Sequence, residues 1–379
     1  MTIITYEIDP GGDIELVLEC PNKQQIVPIV TFEEKENFRV PMFDGGSDDF
    51  FDNTALVGRY AVFNPEEEEK EEDAMEADGG GGDDAMEADT LETSASNSSS
   101  DGLTEVRIRV SSRHLILASR TFRTMLEGPW RENLSQAPGS QSVPLQIKTT
   151  DWDAAALVIV LDVIHGRYQD IPKVINIGLL TRIATVVDYY ECHESLQLIS
   201  DIWMANLLHQ VPGRFCKISF LWLYISWVFS EREKLSYISR MFLEESIGLA
   251  NIDFKDLPVH QVLAEIDTAR QELIGRYMTG LNALRKTLSE ETGCLGNGNS
   301  ACSAIILGVL IREKHKLGLL DPSPVAPYSG YNISTLISRA RQFPNSRPQQ
   351  FNCSCNIQTR LSPILEGIEY SISKYNLTA

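Results

Sequence analysis

The stretch Val110-Ser-Ser-Arg-His-Leu-Ile-Leu-Ala-Ser-Arg-Thr-Phe-Arg-Thr-Met-Leu126 decides the fold class, because the spacing of its apolar residues changes within it. Val106, Ile108 and Val110 alternate with polar residues, which predicts a half-buried strand. From His114 onward, apolar residues recur at helical spacing, and the arginines are left for the solvent-exposed face. The residues predicted to face inward are Leu115, Leu117, Ala118, Phe122, Met125 and Leu126. Nothing in this framework-like stretch indicates a nucleophile, a metal cluster or a phosphate-binding loop.

The rest of the chain predicts a small sheet followed by many helices. Residues 13–19 are predicted as a strand after the turn signal at residues 10–12, and residues 25–31, 59–63 and 143–145 as further strands. Helical spacing predicts helices over residues 151–164, 177–190, 196–208, 218–229, 232–247, 259–289, 301–320 and 334–343. The predicted fold class is α+β: a small β-sheet capped by a helical cluster, followed by an all-α C-terminal domain.

Residues 259–289 carry apolar residues at gaps of three and four, with charged residues on the opposite side. Such a seam is typical of a coiled coil, so the helix could pair with a second copy of the chain. It could also lie across neighbouring helices of its own chain, and the sequence favours this second interpretation.

The negative charge of the chain is concentrated in one segment. The formal net charge is −20, and residues 64–101 contain 15 acidic residues and one basic residue, which leaves −6 for the rest of the 379-residue chain. A hydrophobic content of 43% is that of an ordinary globular protein. Because no part of the chain offers a strongly basic field, direct binding of nucleic acid is not expected.

The acidic segment 64–101 is predicted to be a disordered insertion. It has no aromatic residue, and the motif Asp-Ala-Met-Glu-Ala-Asp occurs twice, at residues 73–78 and 84–89. Such a segment cannot bury enough apolar surface to offset its conformational entropy. The sequence favours a tolerated solvated insertion; the alternative is an acidic arm for basic partners, or a cluster of modifiable serines.

The sequence also predicts where the protein resides. Seven cysteines in a chain of this length do not indicate a disulfide scaffold, and the N-terminal residues do not resemble a secretory signal. The longest apolar run, residues 218–229, would rise about 18 Å as a helix, which is short of a hydrocarbon core of about 30 Å. We therefore expect an intracellular, cytoplasmic or nuclear protein that does not span a membrane.

Two motifs carry a resemblance to a known family. The run Gly12-Asp-Ile-Glu-Leu-Val-Leu, and the stretch from Val110 to Leu126 followed by Trp130-Arg-Glu, resemble the BTB (POZ) domain, in particular the divergent BTB proteins of filamentous fungi. The motif positions are Asp13, His114, Leu117, Ala118, Ser119, Phe122, Met125 and Leu126. The resemblance implies a BTB-like domain over residues 8–210, interrupted by the acidic insertion, and a helical C-terminal domain over residues 214–379. The chain departs from the family where Arg120 replaces a common proline, and in the length between its first two core strands.

The resemblance implies a non-enzymatic protein that binds other proteins. BTB domains bind themselves, cullin-3 scaffolds or transcriptional corepressors, so a homodimer and a cullin-3 substrate adaptor are both expectations. The candidate contact residues lie near the first strand and the helical hairpin: Asp13, Glu15, Arg113, Arg120 and Arg123. An enzyme in the helical tail is the least favoured alternative, because the tail lacks glycine-rich phosphate loops and histidine clusters.

Two groups of residues could carry chemistry. His114 lies among apolar neighbours and is predicted to be a buried core histidine rather than a catalytic base. Four cysteines, Cys294, Cys302, Cys353 and Cys355, could ligate a structural zinc ion. Free thiols or a disulfide are the alternatives, since the spacings are not those of common zinc knuckles. No other cofactor is expected.

Overall fold

The computed structural model describes residues 2–30, 56–64, 103–128, 144–250, 252–293, 300–320, 322–345 and 355–377. The fold is mixed α and β, as the sequence predicts at that level. Six strands are described: β1 (Thr2–Glu7), β2 (Ile14–Glu19), β3 (Ile29–Val30), β4 (Leu103–Val110), β5 (Leu145–Thr150) and β6 (Ile252–Asp253). Eleven α-helices are described: α1 (Ser112–Ala118), α2 (Arg120–Glu127), α3 (Ala154–Ile164), α4 (Ile177–Tyr190), α5 (His193–Asn206), α6 (Lys217–Val228), α7 (Arg232–Glu245), α8 (His260–Glu290), α9 (Ser300–Lys316), α10 (Ile333–Arg341) and α11 (Ile357–Lys374).

The main sheet has four strands in the order β1-β4-β2-β5. Strand β2 runs antiparallel to β4, with Leu16 opposite Ile108, and each outer strand runs parallel to its inner neighbour. Val106, Ile108 and Val110 are all buried, which confirms the alternation read from the sequence. The sheet therefore offers one apolar face to the helices.

The N-terminal part of the sheet corrects two predictions. Strand β1 was not predicted, because Tyr6 is its one buried residue and an exposed edge strand shows little alternation. The strand predicted for residues 59–63 is wrong, since Gly58–Phe63 forms a 3₁₀ helix. Its buried residues, Tyr60 and Phe63, lie three positions apart, which is the period of that helix.

Helix α3 is the centre of the helical cluster, and all of its 11 residues are buried. It contacts β4, α1, α4 and α5. The predicted start at Asp151 is wrong, because Asp151 has a φ of 70°. The helix is instead capped by Asp153, which accepts a hydrogen bond from the Ala156 amide. Trp203 of α5 is buried, and its indole donates to the Pro172 carbonyl at 2.7 Å, so it anchors α5.

The C-terminal region consists mainly of helices packed around α8. The apolar seam of α8 is buried against helices of the same chain, α7, α9, α10 and α11. Helix α11 was not predicted; Pro363 lies inside it, and prolines usually mark a helix boundary in sequence. Among the described helices, none is both long enough and apolar enough to cross a membrane.

The N-terminal part, which contains the main sheet and helices α1 to α5, shares an extensive contact with the helical tail, which begins at α6. Helix α4 packs on α6, and the Tyr224 hydroxyl donates to Asp188 Oδ2 at 3.2 Å. Strand β3, near the N-terminus, pairs antiparallel with β6 in the tail. Beside this pair, the Gln25 amide donates to Asp256 Oδ2 at 2.7 Å. The N-terminal segment thus completes a small sheet that belongs to both parts.

Candidate interaction surface

The first turn of α1 is fixed to β2 by one carboxylate. Asp13 precedes β2 and accepts hydrogen bonds from the Ser112 amide at 2.8 Å and the Ser112 hydroxyl at 2.6 Å. Desolvation opposes ionisation of Asp13, but these hydrogen bonds and the charge of Arg113 hold its pKa below the ordinary value. An anionic group at a helix N-terminus is also favoured by the helix dipole. Asp13 was predicted as a contact residue, and its carboxylate here holds the hairpin in place.

The same turn is held from the other side by His165, which follows α3. Its Nε2 accepts a hydrogen bond from the Ser111 amide at 3.0 Å, and its Nδ1 lies 2.7 Å from the Leu161 carbonyl. A backbone amide can only donate and a carbonyl can only accept, so the ring is neutral with its proton on Nδ1. Burial, and then the neighbouring His114, lower the pKa of His165 below the ordinary value.

Helix α2 is fixed to the end of α4. Ser119, between α1 and α2, caps α2 by accepting from the Phe122 amide at 2.9 Å, and its hydroxyl donates to the Tyr190 carbonyl. The Phe122 and Tyr190 rings are stacked with their centroids 4.3 Å apart. The Thr121 hydroxyl donates to the Tyr189 carbonyl at 3.1 Å. These contacts hold the α1–α2 hairpin in a fixed position against the core.

The solvent-exposed side of the α1–α2 hairpin carries one apolar and three basic side chains. Leu117 is 80% exposed, so its predicted inward position is wrong. Arg113 and Arg120 are exposed, and the exposed Arg123 donates from Nε and Nη2 to the Ile116 carbonyl beside Leu117. We call Arg113, Leu117, Arg120 and Arg123 the hairpin face. Of the other residues predicted to face inward, Leu115, Phe122 and Leu126 are buried, and Ala118 and Met125 are partly buried.

His114 is a second correction in this hairpin. It was predicted to be a buried core histidine, but it is exposed and its ring lies against His165, with centroids 4.8 Å apart. The hydrogen-bonded histidine is His165, which the sequence did not single out. The sequence feature that could have identified His165 is its position directly after the last residue of a predicted helix.

The five predicted contact residues do not form one patch. Arg113, Arg120 and Arg123 belong to the hairpin face, and Asp13 supports it from below. Glu15 lies on β2 opposite Gln146 of β5, and its carboxylate accepts from the Gln146 side chain at 2.7 Å. Glu15 is therefore engaged across the sheet.

A buried polar cluster that the sequence did not indicate lies at the end of α3. Asp162 is fully buried, and its Oδ2 accepts from the Tyr60 hydroxyl at 2.9 Å and the Tyr6 hydroxyl at 3.2 Å. Arg59 lies over the Tyr6 ring at 4.7 Å, 3.7 Å from Asp162 Oδ1. Burial raises the pKa of Asp162, although the Tyr60 hydrogen bond and the charge of Arg59 oppose this. The cluster joins β1 and the 3₁₀ helix to the core.

Of the four cysteines predicted as zinc ligands, two lie within the described residues and two lie outside them. Cys294 and Cys353 lie outside the described residues, while Cys302 is buried and Cys355 is half-buried. Within the described ranges, no three histidine, cysteine or acidic residues come together as a metal site. A structural zinc site formed by all four cysteines stays a prediction. The same holds for disorder in the acidic insertion, which beyond Asn64 lies outside the described ranges.

Comparison of the chain with protein-family models, with curated proteins and with solved structures finds no match. The function must therefore be inferred from the residues and their arrangement.

Proposed function

We propose that this protein is a non-enzymatic protein–protein interaction module of the BTB/POZ type, with a helical tail. The order of elements supports this proposal. Strand β2 carries the Asp-Ile motif, β4 leads into the α1–α2 hairpin, and helices α3, α4 and α5 complete a cluster. This is the order that the BTB resemblance implies, except that β1 precedes the strand of the Asp-Ile motif.

The hairpin face is the observation on which the proposal depends. The structure holds α1 and α2 through Asp13, His165 and Ser119, yet leaves Leu117 and three arginines in solvent. Because the hairpin is already held in place, binding through its exposed leucine costs little conformational entropy. This favours recognition by surface complementarity. The hairpin face is therefore the proposed contact site.

Two measurements test the proposal. Size-exclusion chromatography with light scattering at tens of micromolar measures self-association. Proximity labelling in the native cell, repeated with Leu117→Asp and with the exposed Val325→Asp of the tail as control, identifies partners that depend on the hairpin face. A strict monomer whose labelled neighbours are the same in all three proteins would contradict the proposal.

A substrate adaptor for a cullin-3 ubiquitin ligase is a second candidate. An adaptor needs two separate contact surfaces on one rigid body, and the contact between the BTB-like part and the tail supports such a body. A second exposed apolar pair, Leu198 (75% exposed) and Ile202 (43% exposed), lies one turn apart on α5. Pull-down of cullin-3 by the wild-type protein, and its loss in Leu198→Asp, would support this function. Equal capture by Leu198→Asp and the wild type would assign the contact elsewhere.

A further inference from the structure

We infer that the hairpin face binds an acidic protein segment that carries one apolar side chain between its carboxylates. This inference rests on the proposed function and specifies the chemistry of the partner. In the hairpin face, Arg113 lies one turn before Leu117 on α1, and Arg120 begins α2 after the break at Ser119. Arg123 reaches the Ile116 carbonyl beside Leu117, so its charge also lies at this point.

The hairpin face carries three positive charges and no acidic side chain. Within the described ranges, none of its arginines forms an ion pair with a carboxylate. Carboxylates on the adjoining segments include Asp13, which is engaged by Ser112, and also Asp9, Glu127 and Glu191. On a chain with a net charge of −20, three positive charges on the surface that carries an exposed leucine favour anionic partners over basic ones.

Two other occupants fit this face less well. In a two-fold pairing with a second copy of the same face, arginines would lie opposite arginines, which is repulsive. A nucleic acid would meet three arginines but also the large negative charge of the whole chain, and the phosphate backbone offers nothing apolar for Leu117. An acidic peptide with an apolar side chain satisfies both the guanidinium groups and the leucine.

The chain itself supplies a suitable probe sequence. Residues 73–89 contain two copies of Asp-Ala-Met-Glu-Ala-Asp, with seven carboxylates and two methionines in total. Methionine adapts its shape to an apolar contact, and the flanking carboxylates match the arginines. A fluorescent synthetic peptide of this sequence, titrated into the full-length protein at low salt, measures the binding directly. We expect saturable binding that weakens about tenfold between 50 and 500 mM NaCl.

A matched pair of variants tests the site. Arg120 is the first residue of α2, and Arg232 is the first residue of α7; both are exposed. A glutamate is tolerated at the first position of a helix, so Arg120→Glu and Arg232→Glu should both fold. Arg120→Glu should weaken peptide binding at least tenfold, and Arg232→Glu should leave it within about twofold. Leu117→Ser, or serine in place of both peptide methionines, should weaken binding about fivefold or more.

Each outcome decides the inference. Equal affinity for Arg120→Glu, Arg232→Glu and the wild type would overturn it. The peptide should also be titrated into a full-length variant whose own two motif copies are replaced by glycine and serine. Binding to that variant alone would support the partner chemistry and identify the chain's own acidic segment as an occupant, while binding to neither protein would overturn the inference. If partners in the cell still depend on Leu117 when the peptide does not bind, the proposed function stands without this partner chemistry.

Discussion

At the scale of single residues, Asp162 joins three segments of the chain at one buried point. Tyr6 lies 156 positions away from it in sequence and Tyr60 lies 102 positions away, yet both hydroxyls donate to the same oxygen. A buried carboxylate is costly unless its hydrogen bonds are complete, so each donor contributes to stability by more than its own bond.

Removing the Tyr60 hydroxyl should therefore destabilise the protein. In Tyr60→Phe, Asp162 loses its shorter hydrogen bond while remaining fully buried, and the free energy of unfolding should fall by about 1–3 kcal/mol. Urea denaturation followed by circular dichroism measures the change. Tyr237→Phe is the matched control, because Tyr237 is exposed and its hydroxyl lies 3.5 Å from the Pro212 carbonyl; it should change stability by no more than about 0.5 kcal/mol. Equal effects of the two variants would contradict the role given to Asp162.

His165 should make stability depend on pH in a definite direction. Its pKa is lowered in the folded chain, first by burial and then by His114, while the unfolded value is near 6.5. The unfolded chain therefore binds its proton at higher pH than the folded chain. The contribution of His165 to stability is complete above about pH 6.5 and is lost as the pH falls from there through the folded pKa.

The difference between the wild type and His165→Gln isolates this effect. Between pH 7.5 and 5, the wild type should lose up to about 1.4 kcal/mol per pH unit within the titration window, and the variant should show a flatter profile. His209→Gln, at an exposed histidine, should keep the wild-type profile. Thermal or urea unfolding at a series of pH values measures all three. Parallel profiles for the wild type and His165→Gln would show that His165 does not produce this pH dependence.

The sequence predicts the buried side of the hairpin better than its polar contacts. Periodicity identifies Leu115, Phe122 and Leu126 as core residues because burial follows spacing along one helix. It fails for Leu117 because a break at Ser119 divides the hairpin into two helices, and the helical phase does not continue across the break. Partners such as Asp162 and Tyr60 are distant in sequence, so local pattern contains no information about them.

At the scale of whole elements, α8 and α11 pack closely because of a glycine. A Cβ added to Gly280 of α8 would lie 2.7 Å from Ile364 Cγ2 of α11 and within 3.2 Å of two more atoms of that side chain. The contact explains how α11 docks although Pro363 lies inside it. It also explains why α11 could not be predicted from its own sequence, since its position depends on a surface of another helix.

An alanine at Gly280 should therefore act differently from an alanine at another helical glycine. Gly308 of α9 is exposed, and a Cβ there would have no atom within 4 Å. Gly308→Ala should stabilise the protein by about 0.5–1 kcal/mol through the backbone entropy of the unfolded chain. Gly280→Ala gains the same entropy but must displace Ile364, and we expect a net destabilisation of about 1–2 kcal/mol. Shifts of melting temperature with opposite signs would confirm the close approach, and stabilisation by both variants would contradict it.

The predicted helix bounds agree best with the structure where the sequence has a complete amphipathic pattern. Residues 177–190 form α4 with the predicted bounds, because its apolar residues and its Asn176 cap agree. Edge strand β1 was missed because a strand with one buried residue lacks a pattern. Elements that depend on distant neighbours, β1 and α11, are thus the ones that the sequence does not reveal.

At the scale of the whole molecule, the interface between the N-terminal part and the helical tail should make the chain unfold as one unit. Helices α4 and α6 pack together, Tyr224 donates to Asp188, and strand β3 pairs with β6 across the interface. Burial raises the pKa of Asp188, and this carboxylate accepts the Tyr224 hydrogen bond inside the interface. An interface that includes a shared sheet and hydrogen bonds between the two parts couples the stability of the two parts.

Urea unfolding followed by tryptophan fluorescence and by far-ultraviolet circular dichroism should therefore give coincident transitions. The buried tryptophans report on both parts, Trp203 in α5 and Trp222 in α6. Tyr224→Phe should lower the urea midpoint equally for both probes, because it weakens a contact that both parts share. The free energy of unfolding should fall by about 0.5–2 kcal/mol. A variant in which one probe shifts and the other does not would show that the helical tail and the N-terminal part unfold separately. The rigid body that the adaptor function requires would then be lost.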